Sequence, residues 1–147
     1  MHRSIITLIA LAAFTATGAI AQNLEVIKER KSLLEQMGKS AKEPGKMMKQ
    51  EIPFDAATVD AALDTIIANA SKLPALFPED SKSGGKTEAL PAIWENKDEF
   101  TGRYDKLVAD AKAAKANLGD EFAFMEAWPK VAGNCGGCHK KYRVEKK

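Results

Sequence analysis

The sequence predicts an all-α fold, an antiparallel four-helix bundle, from three observations. The chain has 147 residues, of which 45% are hydrophobic and 29% charged, values typical of one soluble globular domain. Alanine, leucine, lysine and glutamate dominate, while aromatic residues make up only 7%, which favours helix over sheet. Apolar residues recur every three or four positions in four stretches, joined mostly by short turns. No stretch shows sustained strand alternation.

The N-terminal segment, residues 1–21, is predicted to be a cleaved signal peptide. A positive start at Arg3 precedes an apolar run from Ile5 to Ala16, and Ala19 and Ala21 then supply small residues at the positions a signal peptidase reads. The alternative is a membrane anchor, but the run is shorter than the ~20 apolar residues that a spanning helix needs. We therefore expect a single exported, periplasmic domain, residues 22–147, with no membrane contact after cleavage.

The formal net charge of +2 at pH 7 argues against a nucleic-acid-binding protein. Such proteins concentrate excess positive charge on one face to meet phosphates. The two cysteines are also too few for a small fold held together by disulfides.

The first two helices are predicted over residues 24–50 and from Asp55 until Leu73-Pro74 ends the second. Pro44 is expected to kink or interrupt the first helix, because proline lacks the backbone donor. Asp55 is expected to cap the second helix by accepting a bond from a free N–H. Residues 74–95 form a long irregular connection with four apolar anchors: Leu76, Phe77, Ile93 and Trp94.

The third helix is predicted to start at a capping box formed by Asn96 and Glu99. The fourth helix covers residues 121–144, with Asp120 as its cap. Pro129 is expected to weaken this last helix midway.

The motif Cys135-Gly136-Gly137-Cys138-His139 is C-x-x-C-H, the attachment signature of c-type haem. The two thiols form thioethers with the haem vinyl groups, and the imidazole is an axial iron ligand. On a helix, spacings of three and four residues place all three side chains on one side. Export agrees with this interpretation, because bacteria attach haem covalently outside the cytoplasm.

Three other interpretations of the motif compete with haem attachment. A thioredoxin-like redox pair needs a βαβ context, which the sequence lacks. A disulfide between Cys135 and Cys138 is compatible with export but leaves His139 unexplained. A zinc site needs a fourth ligand, and the other histidine, His2, lies in the signal peptide.

The position of the motif near the C-terminus, together with several shorter patterns, resembles the cytochrome c′ family of class II c-type cytochromes. Residues 135–143 are similar to the family's ending, and Arg30-x-x-x-Leu34-x-x-Met37-Gly38 resembles the family's first helix. Supporting similarities lie in residues 53–57, 73–78 and 91–94. The resemblance implies a four-helix bundle with one covalent haem c, and a homodimer formed through the first two helices.

Carried over residue by residue, the resemblance implies a set of roles at the haem. Cys135 and Cys138 hold the haem, and His139 is the proximal ligand. Arg143 lies beside the proximal pocket, Arg30 pairs with a propionate, and Leu34 covers the distal face of the iron. For both arginines, a solvated surface charge is the alternative.

Leu34 decides the expected chemistry, because its carbon side chain has no lone pair for iron. The site is therefore expected to be five-coordinate and open to neutral diatomic gases, nitric oxide and carbon monoxide. Met37, one turn away, is the rival ligand and would give a six-coordinate electron-transfer cytochrome; core packing is the commoner fate of such a methionine. We expect nitric oxide binding or buffering, with electron transfer to redox partner proteins as a further role, and no enzymatic turnover.

Overall fold

The computed structural model describes residues 23–145, most of which lie in helices. The helices in this range are α1 (Leu24–Ser40), α2 (Lys42–Met48), α3 (Ala56–Ala70), α4 (Ala92–Glu95), α5 (Lys97–Ala116) and α6 (Glu121–Tyr142). Two short 3₁₀ turns, Leu73–Leu76 and Glu79–Ser81, lie between α3 and α4. Within this range no helix is long and apolar enough to cross a membrane. The predicted signal peptide lies outside the described residues.

The four long helices α1, α3, α5 and α6 form the predicted bundle. Each packs against its neighbour in sequence, α1 on α3, α3 on α5 and α5 on α6. Between α5 and α6, Glu99 contacts Lys141 while Asp110 contacts Asn134, so the two helices run in opposite directions. The prediction of an antiparallel four-helix bundle is confirmed.

Two of the three predicted helix caps are present. Asp55 Oδ2 accepts a hydrogen bond from Thr58 N at 2.8 Å, and Asp120 Oδ1 accepts one from Ala123 N at 2.9 Å. Each bond satisfies one of the N–H groups that the first turn of a helix leaves without a partner.

The predicted capping box at Asn96 is wrong. The Asn96 side chain forms no cap with α5; its Nδ2 instead donates to Ala92 O at 3.1 Å. The reason is the short helix α4, which ends just before this residue, at Glu95, and whose Ala92 carbonyl accepts from both the backbone and the side chain of Asn96. Glu99 is engaged elsewhere, with Arg103 on its own helix and Lys141 on α6.

The interruption expected from Pro44 occurs three residues before the proline. At Ala41 the chain leaves α1, and α2 begins at Lys42. This places Pro44 in the first turn of α2, where an N–H is not needed for an intrahelical bond. Pro129, by contrast, lies inside a helix that continues from Glu121 to Tyr142.

The long connection between α3 and α4 packs closely on the bundle. Leu73 and Phe77 are buried, and Ile93 is buried just after it. The end of the connection also pairs with the chain after α6, through an antiparallel bridge between Ala89 and Arg143. Leu90 N donates to Tyr142 O at 3.0 Å and Val144 N to Glu88 O at 2.8 Å.

Candidate haem attachment site

The C-x-x-C-H motif occupies the last two turns of α6. Cys135, Cys138 and His139 are all half-buried, and the two cysteines are free thiols. Helical spacing places the three side chains on one side of α6. Burial raises the pKa of both thiols, while the nearby Arg103 guanidinium partly opposes this effect at Cys138.

Contacts from α5 hold α6 immediately before and after the motif. Asn134, next to Cys135, donates from Nδ2 to Asp110 Oδ2 at 2.7 Å. Lys141, two residues after His139, donates from Nζ to Glu99 Oε2 at 2.5 Å. Two glycines inside the motif favour helix poorly, so these flanking contacts help to keep the segment helical.

Arg103 lies along the motif and was missed by the sequence interpretation. Its Nη2 donates to Glu99 Oε1 at 2.9 Å, and its guanidinium carbon lies 5.6 Å from the centre of the Tyr142 ring. A Cβ atom added at Gly137 would lie 3.6 Å from Arg103 Nη1. The i,i+4 spacing of Glu99 and Arg103 was the only available signal, and it predicts an ion pair without saying what lies beside it.

Tyr104 links the motif to α1. The residue is buried on α5, with its ring 5.2 Å from that of Phe100 in an edge-on arrangement. Burial raises the pKa of its hydroxyl, the two cysteines raise it further, and Arg30 lowers it. Arg30 on α1 and both cysteines on α6 therefore contribute to the electrostatic environment of one buried phenol. The sequence analysis gave Tyr104 no role at the site.

Arg30 is buried, with 2% of its surface exposed, and binds the connection between α3 and α4. Its Nη1 donates to Leu76 O at 3.2 Å and to Ser81 Oγ at 2.8 Å. Its Nη2 donates to Ser81 O at 3.0 Å and to Thr87 Oγ1 at 2.7 Å. The guanidinium also stacks on the Phe77 ring, 4.5 Å from its centre. The alternative of a solvated surface charge is therefore wrong for Arg30.

Leu34 lies one turn after Arg30 on α1. It is half-buried and packs against the same hydrophobic cluster that Cys138 contacts. Met37, the rival ligand, is 7% exposed and is a member of that cluster. The two candidate distal residues thus have different environments, one at the edge of the core and one inside it.

Arg143 caps the C-terminal end of α6. Its N–H donates to His139 O at 3.1 Å, and its backbone pairs with Ala89 in the antiparallel bridge. The bridge ties the chain just after α6 to the connection that Arg30 anchors. The side chain of Arg143 is half-buried.

Comparison with known proteins decides the family of this chain. A family model described as Cytochrome C' matches residues 25–143, nearly the whole of the described range. The chain belongs to the cytochrome c′ family.

Similar proteins agree with this membership over most of their length. The chain is 42% identical over 146 residues to a cytochrome c' of Rhodopseudomonas palustris, covering 99% of both chains. It is 40% identical over 121 residues to a cytochrome c-556 of Agrobacterium fabrum, covering 82% of each. The structure of the cytochrome c' from Rhodopseudomonas palustris superposes with a TM-score of 0.81 at 45% identity, covering 83% of this chain and 98% of that one.

The donor set in this cytochrome c′ family member suits haem c. Two thiols three residues apart and an adjacent imidazole lie together on α6, beside buried aromatic side chains such as Tyr104 and Tyr142. The prediction of one covalent haem c, attached through Cys135 and Cys138, is confirmed by the family.

Proposed function

We propose that this chain is an exported haem protein that binds small neutral gases, nitric oxide and carbon monoxide, at an open iron site. The observation that carries the proposal is Leu34, an apolar side chain at the edge of the core, one turn from Arg30 on α1. A leucine offers neither a lone pair to bind iron nor a proton to donate. Membership of the cytochrome c′ family supports the haem on which this function depends.

In this proposal haem supplies the gas-binding centre and one-electron chemistry, and the protein chain attaches and positions the haem. Cys135 and Cys138 hold the group, and His139 provides the proximal imidazole. Arg143 follows His139 by one turn, and its backbone N–H bonds the His139 carbonyl, which supports a place beside the proximal pocket. Arg30 would lie near the haem edge and contribute positive charge towards a propionate, while its terminal nitrogens stay bonded to the connection.

Leu34 favours small neutral ligands because its side chain has no hydrogen-bond donor. Anions entering an apolar site lose hydration without gaining a hydrogen bond. Dioxygen gains no stabilisation of its polar bound form, because no donor is present on Leu34. Nitric oxide and carbon monoxide are small and uncharged, so displacement of the Leu34 side chain is their main cost. We expect binding or buffering of these gases, with electron transfer to redox partner proteins as a further role and no enzymatic turnover.

The second candidate is a six-coordinate electron-transfer cytochrome with Met37 as the distal ligand. It merits a test because relatives named cytochrome c-556 are almost as similar to this chain as those named cytochrome c'. Burial of Met37 in the core cluster supports a packing role instead. One helical turn is ~5 Å along the axis, too far for the two residues to exchange places without moving α1.

The deciding experiment is the absorption spectrum of the purified protein after reduction with dithionite. We expect a broad Soret band and one diffuse visible band, the signs of five-coordinate iron, with the same spectrum in Met37→Leu. Sharp, split α and β bands in the wild type that are absent from Met37→Leu would show that Met37 binds the iron. That result would contradict the gas-binding function and support the electron-transfer cytochrome.

A further inference from the structure

The turn of α1 that carries Leu34 is tied to α3 by a buried amide. Asn69 is 6% exposed and lies on the face of α3 that contacts α1. Its Nδ2 donates to Leu33 O at 3.3 Å and to Gln36 Oε1 at 3.3 Å. The two acceptors lie on either side of Leu34 in sequence, so both bonds act on the same turn.

The same turn of α1 is also held from its N-terminal side, through Arg30. Arg30, one turn earlier on α1, is bound to Ser81 and Thr87 in the connection between α3 and α4. Shifting the turn relative to α3 would break both bonds of Asn69 and leave its amide buried without partners, which is unfavourable. The backbone around Leu34 is therefore held on both sides.

We propose that Asn69 is a positioning residue for the distal gate, by which we mean the Leu34 side chain. Because Asn69 holds the α1 backbone, a gas molecule enters by rotation of the Leu34 side chain and not by movement of the helix. The inference rests on the proposed gas-binding function. It predicts that releasing the turn from α3 opens a second, faster route past the gate.

The test measures the rate of carbon monoxide association with the reduced haem protein. Asn69→Ala removes both bonds and is expected to raise the rate about fivefold, the effect of lowering the barrier by roughly one hydrogen bond. Gln36→Ala removes one bond at an exposed side chain and is expected to give a smaller increase. Thr65→Ala is the matched control, since the Thr65 hydroxyl donates within its own helix, to Ala61 O.

A second pair of measurements separates positioning from general loss of stability. In a Leu34→Ala background, where the gate is absent, Asn69→Ala should leave the association rate unchanged. Hydrogen exchange of backbone amides should become faster in residues 33–37 of Asn69→Ala and stay unchanged in α5. That readout does not depend on gas binding.

Three results would contradict the inference, and they can be told apart. Wild-type protein that takes up no carbon monoxide would overturn the proposed function and this inference together. If Asn69→Ala and Gln36→Ala bind carbon monoxide at the wild-type rate, the inference is wrong but the proposed function is not affected. An equal increase from Asn69→Ala with and without Leu34 would also contradict it.

Discussion

Arg30 holds a positive charge almost completely removed from water. Burial lowers the pKa of its guanidinium, and the nearby Tyr104 hydroxyl partly opposes this effect. Burying a charge is unfavourable unless hydrogen bonds compensate, and here four acceptors in the connection do so. A planar guanidinium suits this arrangement, because its two terminal nitrogens can each serve two acceptors.

Arg30→Met is therefore expected to lower the free energy of unfolding by about 3 kcal/mol, in the range for buried hydrogen bonds to a charged group. Arg30→Lys should recover only part of the loss, since an ammonium cannot reproduce the planar fork. Urea denaturation of the haem-loaded protein measures both changes. Lys31→Met is the control, because Lys31 is exposed and its bonds to Gly85 O and Lys86 O are 3.2 and 3.3 Å long. Equal losses from Arg30→Met and Lys31→Met would contradict the anchoring role.

The packing of α5 on α6 depends on charge as well as on apolar contact. Glu99 accepts hydrogen bonds from Lys141 and Arg103, and these two cations, Lys141 first, lower the pKa of Glu99 from 4.5 to about 2. A carboxyl group whose pKa is lower in the folded state stabilises that state above its ordinary pKa. This contribution is lost as the pH falls from 4.5 towards 2.

Glu99→Gln is expected to be less stable than the wild type at neutral pH, with the difference shrinking below pH 4.5 and vanishing near pH 2. Urea denaturation at a series of pH values at low salt measures it, since salt screens exposed charges. Glu126→Gln serves as the control, because the ion pair of Glu126 is with Lys130, on the same helix and at 3.9 Å. A difference that does not change with pH would contradict the assigned role of Glu99.

The helix boundaries show how far local rules extend. Asp55 and Asp120 cap their helices as the sequence predicts, because a cap involves residues only three positions apart. The same rule failed at Asn96, where the preceding helix α4 takes the side chain. Predicting this requires knowing that residues 92–95 are helical, and a four-residue helix has no periodicity to reveal it.

For the whole molecule, the family resemblance implies a homodimer through the first two helices. The outer face of α3 suits close contact with a second copy, since three small residues are exposed along it: Ala57, Ala61 and Ala68. Small side chains allow two helices to approach closely. The dimer remains a prediction, with the exposed side of α1 and α3 as its expected contact surface.

Analytical ultracentrifugation of the haem-loaded protein should give twice the mass of one chain. Ala61→Arg places a bulky charge on the outer face of α3 and is expected to reduce the mass to that of one chain. Ala113→Arg makes the same change at an exposed alanine of α5, outside the expected interface, and should have no effect. Identical behaviour of the two variants would contradict a contact through α3.

The haem attachment site could be predicted from the sequence because its residues lie close together in the chain. The haem motif spans five residues, and helical geometry alone brings its thiols and imidazole to one side of α6. Asn69 left a weaker signal, a polar residue three positions after the buried Ile66 on an otherwise apolar face. Arg103 and Tyr104 left no signal that distinguishes them from an ordinary ion pair and an ordinary core residue.

The partners of Arg30 lie 46 to 57 residues away in the chain, and those of Asn69 lie more than 30 away. Periodicity and capping depend on neighbours within about one turn, so they predict which face of a helix is buried but not what it meets. Helix identity, caps and haem attachment therefore follow from short-range patterns. The anchoring of α1 around Leu34 follows from the way α3 and its long connection pack on α1, because both bonding networks join residues that only this packing brings together.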